Sequence, residues 1–284
     1  MTAITATPRE RAADSPSPLS QARPTCCLAG HAPCHSESTD RPARPGSYAV
    51  TAEFYDILQA DEDERLVRDL YGREVAKAGL GVLDIGAGTG RVTLMSLAES
   101  RVGVHAVEPA RAMRTSLMTR LAALPARQRE RVTVHPHTLD EAALRAVADV
   151  AVCHNAVACL PPAARRALWP AIGAALVPGG SLFLQLPPAR LPARSVERVL
   201  PEQRVGEHAY GGHMVMSAAG DRIRTRVDYW VRGAEGVLRE HTETFWMWPA
   251  SRSRMIDDLA LHGFVPSPGH DDPGVLAVTL RSPW

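Results

Sequence analysis

The chain has 284 residues, a formal net charge of +1 and 22% charged side chains. This length suits one large domain or two small ones and can bury a full core, and the balanced charge provides no field that would attract nucleic acid or an anionic membrane. The sequence contains no apolar stretch near roughly 18 residues and no compact apolar segment typical of a secretory signal. We therefore expect a soluble, cytoplasmic protein that binds neither nucleic acid nor membrane. The sequence leaves open whether the protein forms a homodimer.

Residues 1–46 are rich in Pro, Ser, Thr, Ala and Arg and have almost no large apolar side chains. Such a segment cannot bury enough surface to offset the entropy of ordering, so we predict a disordered tail. It holds a cluster of side chains that can bind metal: Cys26, Cys27, His31, Cys34 and His35. Adjacent cysteines fit one tetrahedral zinc ion poorly, and no flanking strand or helix is predicted to hold it, so we predict no metal site.

The folded domain is predicted over 47–284, with its first elements near Tyr48. From Asp61 to Ala78 apolar residues recur at helical spacing, and Gly79 ends the segment. This pattern indicates a helix that covers the first strand. Cys153 and Cys159 fall in or beside a predicted core strand, where a free thiol acts as a small apolar group, so we expect no disulfide.

Residues 82–90 read Val-Leu-Asp-Ile-Gly-Ala-Gly-Thr-Gly, a short apolar strand that leads into three alternating glycines. Gly86, Gly88 and Gly90 form a turn without Cβ atoms, which lets backbone amides approach a ligand closely. The pattern predicts a nucleotide-like cofactor. The fingerprint of nicotinamide cofactors would need a further glycine where the chain has Arg91, so the spacing does not fit that class.

Glu108 stands 18 positions after Gly90, at the end of an alternating strand through Val102, Val104 and Ala106. A carboxylate at this place can accept hydrogen bonds from both hydroxyls of a ribose. The unit of strand, loop, helix, strand and glutamate is a specific signal. The alternative is an αβ unit that binds no ligand.

Beyond the loop, apolar strands and helical segments alternate, which predicts a parallel sheet wrapped by helices on both faces. Val-Pro-Gly-Gly at 177–180 is predicted to turn from a helix into the fifth strand. The predicted helices begin at Thr89 and span Ala110–Leu124, Leu139–Val147 and Pro162–Leu176, and the strands span Val132–His135, Val150–Cys153 and Leu182–Leu186.

Residues 187–248 show long polar and apolar alternation with two turns, which predicts an antiparallel three-strand insert. On its middle strand one face is predicted to pack, through Ile223, Thr225, Val227, Tyr229 and Val231. The other face would meet water or substrate, through Arg222, Arg224, Arg226 and Trp230. A last helix, Ser251–Leu261, and a strand, Val275–Leu280, complete the predicted fold.

From about Tyr48 to the end, this order of elements resembles the small-molecule branch of the S-adenosylmethionine-dependent methyltransferases. It is most similar to the sugar-amine N,N-dimethyltransferases of macrolide biosynthesis and to the α-N-methyltransferases of linaridin-type ribosomal peptides. The shared features are Tyr55-Asp56 ahead of the first helix, the glycine loop, Glu108-Pro109 and the insert. The resemblance implies a Rossmann-like α/β fold with a seven-stranded, mostly parallel sheet, and S-adenosyl-L-methionine as cofactor.

The resemblance also implies a set of cofactor-binding residues. Glu108 would bind the ribose, Pro109 and Met113 would lie near the adenine, and Tyr55 would close over the cofactor. Thr138 and Leu139 stand where the family usually has an acidic residue that reads the adenine amino group. The remaining predicted cofactor contacts are Asp84, Gly86, Ala87, Gly88, Gly90 and Cys153.

His154 and Asn155 follow the fourth strand, where the family places residues beside the methyl donor. An Asn at a strand end is also a common turn residue, so both readings stay open. Because an amine must lose its proton before it attacks, a histidine or desolvation of the amine could assist. His241 is a third catalytic candidate, with His208 and His213 as further histidines on the insert.

Aromatic residues of the insert, Tyr229, Trp230, Phe245, Trp246 and Trp248, are expected either in its core or as a wall that receives a cation. The Asn/Asp-Pro-Pro-aromatic signature of DNA amino-methyltransferases is absent from the sequence. We therefore predict methyl transfer to an amine of a small natural product or a ribosomal peptide. The alternatives are an O-methyltransferase of a polyketide or phenol, and a related fold without methyl transfer, such as a pericyclase or a regulatory partner.

Overall fold

A computed structural model of the protein describes residues 48–281. The predicted tail, 1–46, and its Cys/His cluster lie outside the described residues. No helix within 48–281 is long and apolar enough to cross a membrane.

The larger sheet has seven strands and is parallel except for one of them. Its strands are β1 (Gly81–Ile85), β2 (Gly103–Val107), β3 (Val132–His135), β4 (Ala148–Cys153), β5 (Leu176–Gln185), β10 (Phe264–Pro266) and β11 (Val275–Leu280). They are arranged in the order β10-β11-β5-β4-β1-β2-β3, and β11 is antiparallel to both of its neighbours. The predicted Rossmann-like sheet is confirmed.

Seven α-helices connect or flank these strands. They are α1 (Thr51–Val75), α2 (Arg91–Glu99), α3 (Arg111–Ala122), α4 (Ala126–Arg129), α5 (Leu139–Ala142), α6 (Pro162–Ala175) and α7 (Arg252–Ala260), with a 3₁₀ turn at Val157–Cys159 among the described residues. Val82 of β1 packs with α1, α2 and α3, whereas its neighbour Leu83 packs with α6 and α7. Because successive strand residues point to opposite faces, the apolar run of β1 supplies both layers.

The insert is a separate antiparallel sheet of four strands, one more than predicted. It consists of β6 (Val196–Val205), β7 (His208–Ala219), β8 (Arg222–Gly233) and β9 (Gly236–Met247), arranged in that order. The sequence did not predict β6, because Leu200 is its one buried residue and Pro201 follows directly. The strand therefore shows no alternation of polar and apolar residues. The predicted packing face of β8 is buried from Ile223 to Val231 at every second residue.

Three local predictions differ from the structure. The first helix, predicted from Asp61 to Ala78, spans Thr51–Val75, so Tyr55 and Asp56 lie within it and not ahead of it. The helix predicted to reach Val147 ends at Ala142, because Ala143 adopts a left-handed φ of 49°. Residues 177–180 are a bulge inside β5 and not a turn before it, since Leu176 pairs with Ala148 and Ser181 pairs with Val150. Gly179, with φ of 81°, provides the conformation that this bulge needs.

Helix α1 belongs to two hydrophobic cores. Its second half packs Val67 and Tyr71 against the larger sheet. Its first half packs Phe54 and Leu58 against the insert, where the ring of Phe54 is stacked on that of Tyr229 at 4.6 Å between centroids. The helix therefore sets the position of the insert over the larger sheet.

We expect Phe54→Ala to lower the free energy of unfolding by about 3 to 5 kcal/mol, because it leaves a cavity between α1 and the insert. Phe54 is 0% exposed. Leu66→Ala on the same helix, at a residue that is 39% exposed, is the control and should cost about 1 kcal/mol or less. Urea unfolding of both variants measures this, and equal losses would contradict the bridging role of Phe54.

Candidate functional site

The glycine loop joins β1 to α2, and its three glycines have different roles. All three have positive φ angles, 72° at Gly86, 58° at Gly88 and 96° at Gly90. A Cβ atom at Gly86 would lie 2.6 Å from the Cβ of Ala156, and one at Gly90 would overlap Leu117. At Gly88 a Cβ atom would meet nothing closer than the oxygen of Gly86 at 4.0 Å. Gly88 is therefore the loop position that faces open space.

The backbone amides of the loop are already paired within the protein. Gly86 and Ala87 donate to the oxygen of Val107 at 2.9 and 3.0 Å, and Gly90 donates to the oxygen of Ala87 at 2.8 Å. The amide of Gly88 donates to Glu108 Oε2 at 2.7 Å. The amides of the three glycines and of Ala87 therefore already have acceptors within the protein.

Glu108 follows β2 and is 5% exposed. Its Oε2 accepts from Gly88, and its Oε1 accepts from the amide of Ala110 at 2.6 Å. Burial raises the pKa of Glu108, and the two backbone hydrogen bonds and the charge of Arg114 act in the opposite direction. Each carboxylate oxygen has a second lone pair, so Glu108 can hold the loop and still accept two ligand hydroxyls.

A network of charged side chains fixes α1 to the glycine loop. Thr89 Oγ1 donates to Asp56 Oδ1 at 2.6 Å. Arg91, only 6% exposed, pairs with Asp63 and lies 3.4 Å from Asp56. Arg120 of α3 reaches the same Asp56 at 3.6 Å. The sequence predicted a Tyr55-Asp56 pair, but not that Asp56 would bind the loop itself.

The predicted Tyr55 lies over Arg91, with the guanidinium carbon 4.2 Å from the ring centroid, and its backbone oxygen accepts from Arg91 at 3.2 Å. Tyr48, which was not among the predicted site residues, stacks on Phe245 of the insert at 5.1 Å between ring centroids. Burial, followed by Cys159, Glu108 and Tyr55, raises the pKa of Tyr48. Tyr48 thus links the insert to the ends of the parallel strands. Its signal was weak because it precedes α1 in the sequence.

His154 and Asn155 come directly after β4, as predicted. His154 Nδ1 lies 3.1 Å from the hydroxyl of Tyr71, and His154 Nε2 lies 3.2 Å from the side-chain amide of Asn155. Asn155 has a left-handed φ of 52°, and its backbone amide donates to Gln185 Oε1 at 2.8 Å. Burial lowers the pKa of His154 to about 4, assisted by the charge of Arg91, so the imidazole is neutral at pH 7.

Three residues predicted to contact the cofactor, Asp84, Leu139 and Cys153, direct their side chains into the core. Asp84 is 1% exposed and accepts from Thr93 Oγ1 at 2.5 Å. Cys153 and Leu139 belong to the core beside α6 and α7, and burial raises the pKa of Cys153 to about 12.

The other predicted cofactor residues lie near the strand ends. Pro109 is exposed next to Glu108, and Met113 is buried in the first turn of α3. Thr138 caps α5 and shares a capping box with Glu141. Its hydroxyl accepts in that box, and its side chain also hydrogen-bonds the carboxylate of Glu141.

The insert histidines have no described contact with the glycine loop within 48–281. The ring of His241 lies 6.2 Å from that of Phe54, between the insert and α1. His213 lies 3.3 Å from Glu197, and His208 is exposed at the start of β7.

The insert aromatics do not form one wall. Tyr229 and Phe245 lie on the face towards α1, whereas Trp230 and Trp246 lie on the other face. Arg232 and Arg222 cover these two tryptophans at 4.9 and 4.0 Å from their centroids. A cation reaching the inner face would therefore meet Tyr48 and Phe245.

Arg165 connects the insert to the turn after β4. It is 3% exposed and donates to the oxygen of Val157 at 2.9 Å and to the oxygen of Trp248. The amide of Trp248 in turn donates to the oxygen of Ala158 at 2.8 Å. Burial lowers the pKa of Arg165 to about 10, which still leaves a cation at pH 7. The end of β9 is thereby held beside the turn that follows His154.

Two other features of the described residues bear on the site. Within 48–281 no group of three His, Cys, Asp or Glu side chains could hold a metal ion. A groove of about 710 Å³ between α3 and β3 is lined by none of the loop glycines; its lining includes Arg114, Met118, Arg129 and Val132.

Residues 83–182 match the family model of a methyltransferase domain. No curated protein sequence matches the chain significantly. Among solved structures, the chain is similar to CalS10, an amino pentose methyltransferase from Micromonospora echinaspora, at 22% identity and a TM-score of 0.58, with 85% of this chain and 98% of that chain covered. It is also similar to the sugar N-methyltransferase KedS8 from Streptoalloteichus sp., at 21% identity and a TM-score of 0.60, with coverage of 89% and 100%.

A third similar structure is an S-adenosylmethionine-dependent methyltransferase from Clostridium acetobutylicum, with 15% identity, a TM-score of 0.63 and coverage of 83% of this chain and 99% of that chain. These identities are low, so the structural likeness establishes the fold and not the acceptor. The match shows a methyltransferase domain in residues 83–182, and the solved structures show that the chain has a Rossmann-like fold. Both findings agree with the class predicted from the glycine loop and Glu108.

Gly88→Ala should abolish measurable binding of S-adenosylhomocysteine, because its Cβ would enter the open space that the ligand needs. Gly179→Ala is the matched control: it also has a positive φ, 81°, and a Cβ there meets nothing within 4 Å. Both changes carry a similar backbone cost of roughly 1 to 2 kcal/mol. Isothermal titration should show loss of binding in the first variant alone. Equal affinity in both would place the cofactor away from Gly88.

Asp84→Asn should change how stability depends on pH while cofactor affinity stays the same. Burial raises the pKa of Asp84 from 3.8 to about 7, so the folded protein holds this proton more tightly than the unfolded chain. Stability should then fall between about pH 4 and 7 by up to about 1.4 kcal/mol per pH unit, and the asparagine variant should lack that fall. Denaturant unfolding across this range measures it. If the pH dependence of the free energy of unfolding is unchanged in Asp84→Asn and cofactor binding is weakened, Asp84 contacts the cofactor instead.

Proposed function

We propose that the protein transfers the methyl group of S-adenosylmethionine to an amine of a small natural product or of a ribosomal peptide. The observation that carries the choice of an amine is the state of His154, whose two ring nitrogens both have protein partners and whose pKa lies at about 4. Such an imidazole is a poor base. An alcohol acceptor depends on a catalytic base more strictly than an amine acceptor does, because an amine can attack as soon as it has lost its own proton.

The residues at the strand ends fit the cofactor. The bare backbone at Gly88 and the spare lone pairs of Glu108 are the two observations that support this fit. Glu108 would hold the ribose hydroxyls, and Gly86, Ala87 and Gly90 would shape the loop against the methionyl part. Pro109, Met113 and Thr138 would lie along the adenine. S-adenosylmethionine supplies an activated methyl group on a sulfonium, so the chain needs no nucleophile of its own.

The work left to the chain is alignment and exclusion of water. Tyr48 and Phe245 would cover the acceptor from the insert side, and Asn155 would contact it from the end of β4. Removal of an amine from water favours its neutral form, which is the form that attacks.

Two similar structures bear names that agree with this proposal, since one is an amino pentose methyltransferase of calicheamicin biosynthesis and the other a sugar N-methyltransferase. They support natural product biosynthesis as the setting and an amine as the acceptor. The cytoplasmic location and a homodimer stay predictions.

A panel of matched acceptors tests the proposal. The full chain would be incubated with S-adenosylmethionine and an amino sugar glycoside, its hydroxyl analogue, a peptide with a free N-terminus and its N-acetylated form. Mass spectrometry should show added methyl groups on the amino sugar or on the free peptide, and none on the hydroxyl or acetylated partner. Methylation of the hydroxyl compound alone, or no methylation of any amine by a protein that binds S-adenosylhomocysteine, would contradict the proposal.

A further inference from the structure

A chain of three hydrogen-bonded side chains runs from the buried face of α1 to the exposed end of β4. Tyr71 is 0% exposed, and its hydroxyl has one described hydrogen-bond partner, His154 Nδ1 at 3.1 Å. The two rings meet edge to face at 5.5 Å between centroids. On its other side His154 Nε2 contacts the side-chain amide of Asn155, which is exposed.

The position of the protons follows from the burial of Tyr71. If Nδ1 carried the hydrogen, it would donate to the tyrosine oxygen, and the phenol hydrogen would be buried without an acceptor. An unpaired buried donor costs about 1 to 3 kcal/mol. The phenol therefore donates to Nδ1, and because the imidazole is neutral, its hydrogen sits on Nε2.

An Nε2 that bears hydrogen needs an acceptor, and Asn155 can supply one. In the structure the amide nitrogen of Asn155 is the atom at 3.2 Å from Nε2. The oxygen and nitrogen of an amide exchange places by a half-turn of its end group, and the hydrogen-bond partners decide between them. With Nε2 as donor, the oxygen of Asn155 faces His154 and its NH₂ group faces outward.

We propose that Tyr71 is a positioning residue that locks His154 as the neutral Nε2–H tautomer, so that His154 orients the NH₂ group of Asn155 towards the methyl-transfer site and does not act as a base. The last part rests on the proposed function. The lock itself depends only on Tyr71, His154 and Asn155.

The surroundings of His154 agree with this assignment. Among the described residues, Tyr71 from α1 and Arg91 from α2 are the titratable or charged groups that act on the ring. The cation opposes a second proton, and the phenol hydrogen bond stabilises the neutral ring. The acceptor amine must then lose its proton without help from this histidine.

Nitrogen NMR of the histidine rings tests the lock directly. In the full chain with ¹⁵N-labelled histidine and no cofactor, the signals of His154, assigned by their loss in His154→Gln, should show a protonated Nε2 and a bare Nδ1. In Tyr71→Phe the two tautomers should mix, and the pKa of His154 should rise because the bond that favoured the neutral ring is gone. A wild-type Nδ1–H tautomer, or the same tautomer in Tyr71→Phe, would overturn the lock.

Tyr229→Phe is the control, since it removes another buried hydroxyl, which lies 3.1 Å from Thr51 Oγ1, away from His154. It should leave the His154 signals unchanged. A melting scan shows that each variant is folded before the spectra are compared.

A kinetic measurement separates the two parts of the proposal. With two amines of different pKa, the pH midpoint at which kcat/KM rises should shift with the pKa of the amine. A midpoint that is the same for both amines and disappears in His154→Gln would make His154 the base and overturn the proposal. The NMR measurement needs no methyl acceptor. If the protein methylates neither amine, the proposed function is contradicted, but the NMR spectra still show whether Tyr71 locks the tautomer of His154.

Discussion

The structure depends on one long helix that is tied to both sheets and to the loop between them. The 25 residues of α1 pack Phe54 into the insert core and Tyr71 into the larger core. Between these ends Asp56 binds Thr89 and faces Arg91 at the start of α2. An ion pair of this kind, largely removed from water, is costly unless its geometry is satisfied, so it favours a single placement of α1. The insert, the glycine loop and the end of β4 are thereby held in one arrangement.

This arrangement suits a reaction whose donor is already activated. In methyl transfer from a sulfonium the protein contributes mainly position, and position needs a rigid support. Glu108 illustrates how the chain provides it, because the same carboxylate that would bind the ribose fixes Gly88 and Ala110. Arg165 does the same at the insert by holding Trp248 to the turn after β4. The side chains that shape the site are therefore also the ones that join the elements around it.

The helices and strands with strong periodic patterns were predicted from the sequence. The features that depend on contacts between particular side chains were not. The strands Val132–His135 and Val275–Leu280 have the predicted bounds. Val275–Leu280 is a mostly buried apolar run, whereas Val132–His135, at the sheet edge, alternates apolar and polar residues. Both patterns are visible in a single sequence. β6 was missed because an exposed edge strand has no such pattern.

The glycine loop and Glu108 could be found from spacing alone, but the burial of Asp84 against Thr93 could not. Neither could the contact of Tyr48 with Phe245 or that of Tyr71 with His154, which joins residues 83 positions apart. Contacts between distant parts of the chain leave no local signal in a single sequence.

The central claim is that the cofactor is held at the strand ends between the glycine loop and Glu108, under the first half of α1. Hydrogen–deuterium exchange of the full chain, with and without saturating S-adenosylhomocysteine, tests it most directly. The account predicts slower exchange in residues 84–92, 106–111 and 153–157, with little change along β6 and β7. Protection confined to the groove between α3 and β3, or no protection at saturation, would contradict it.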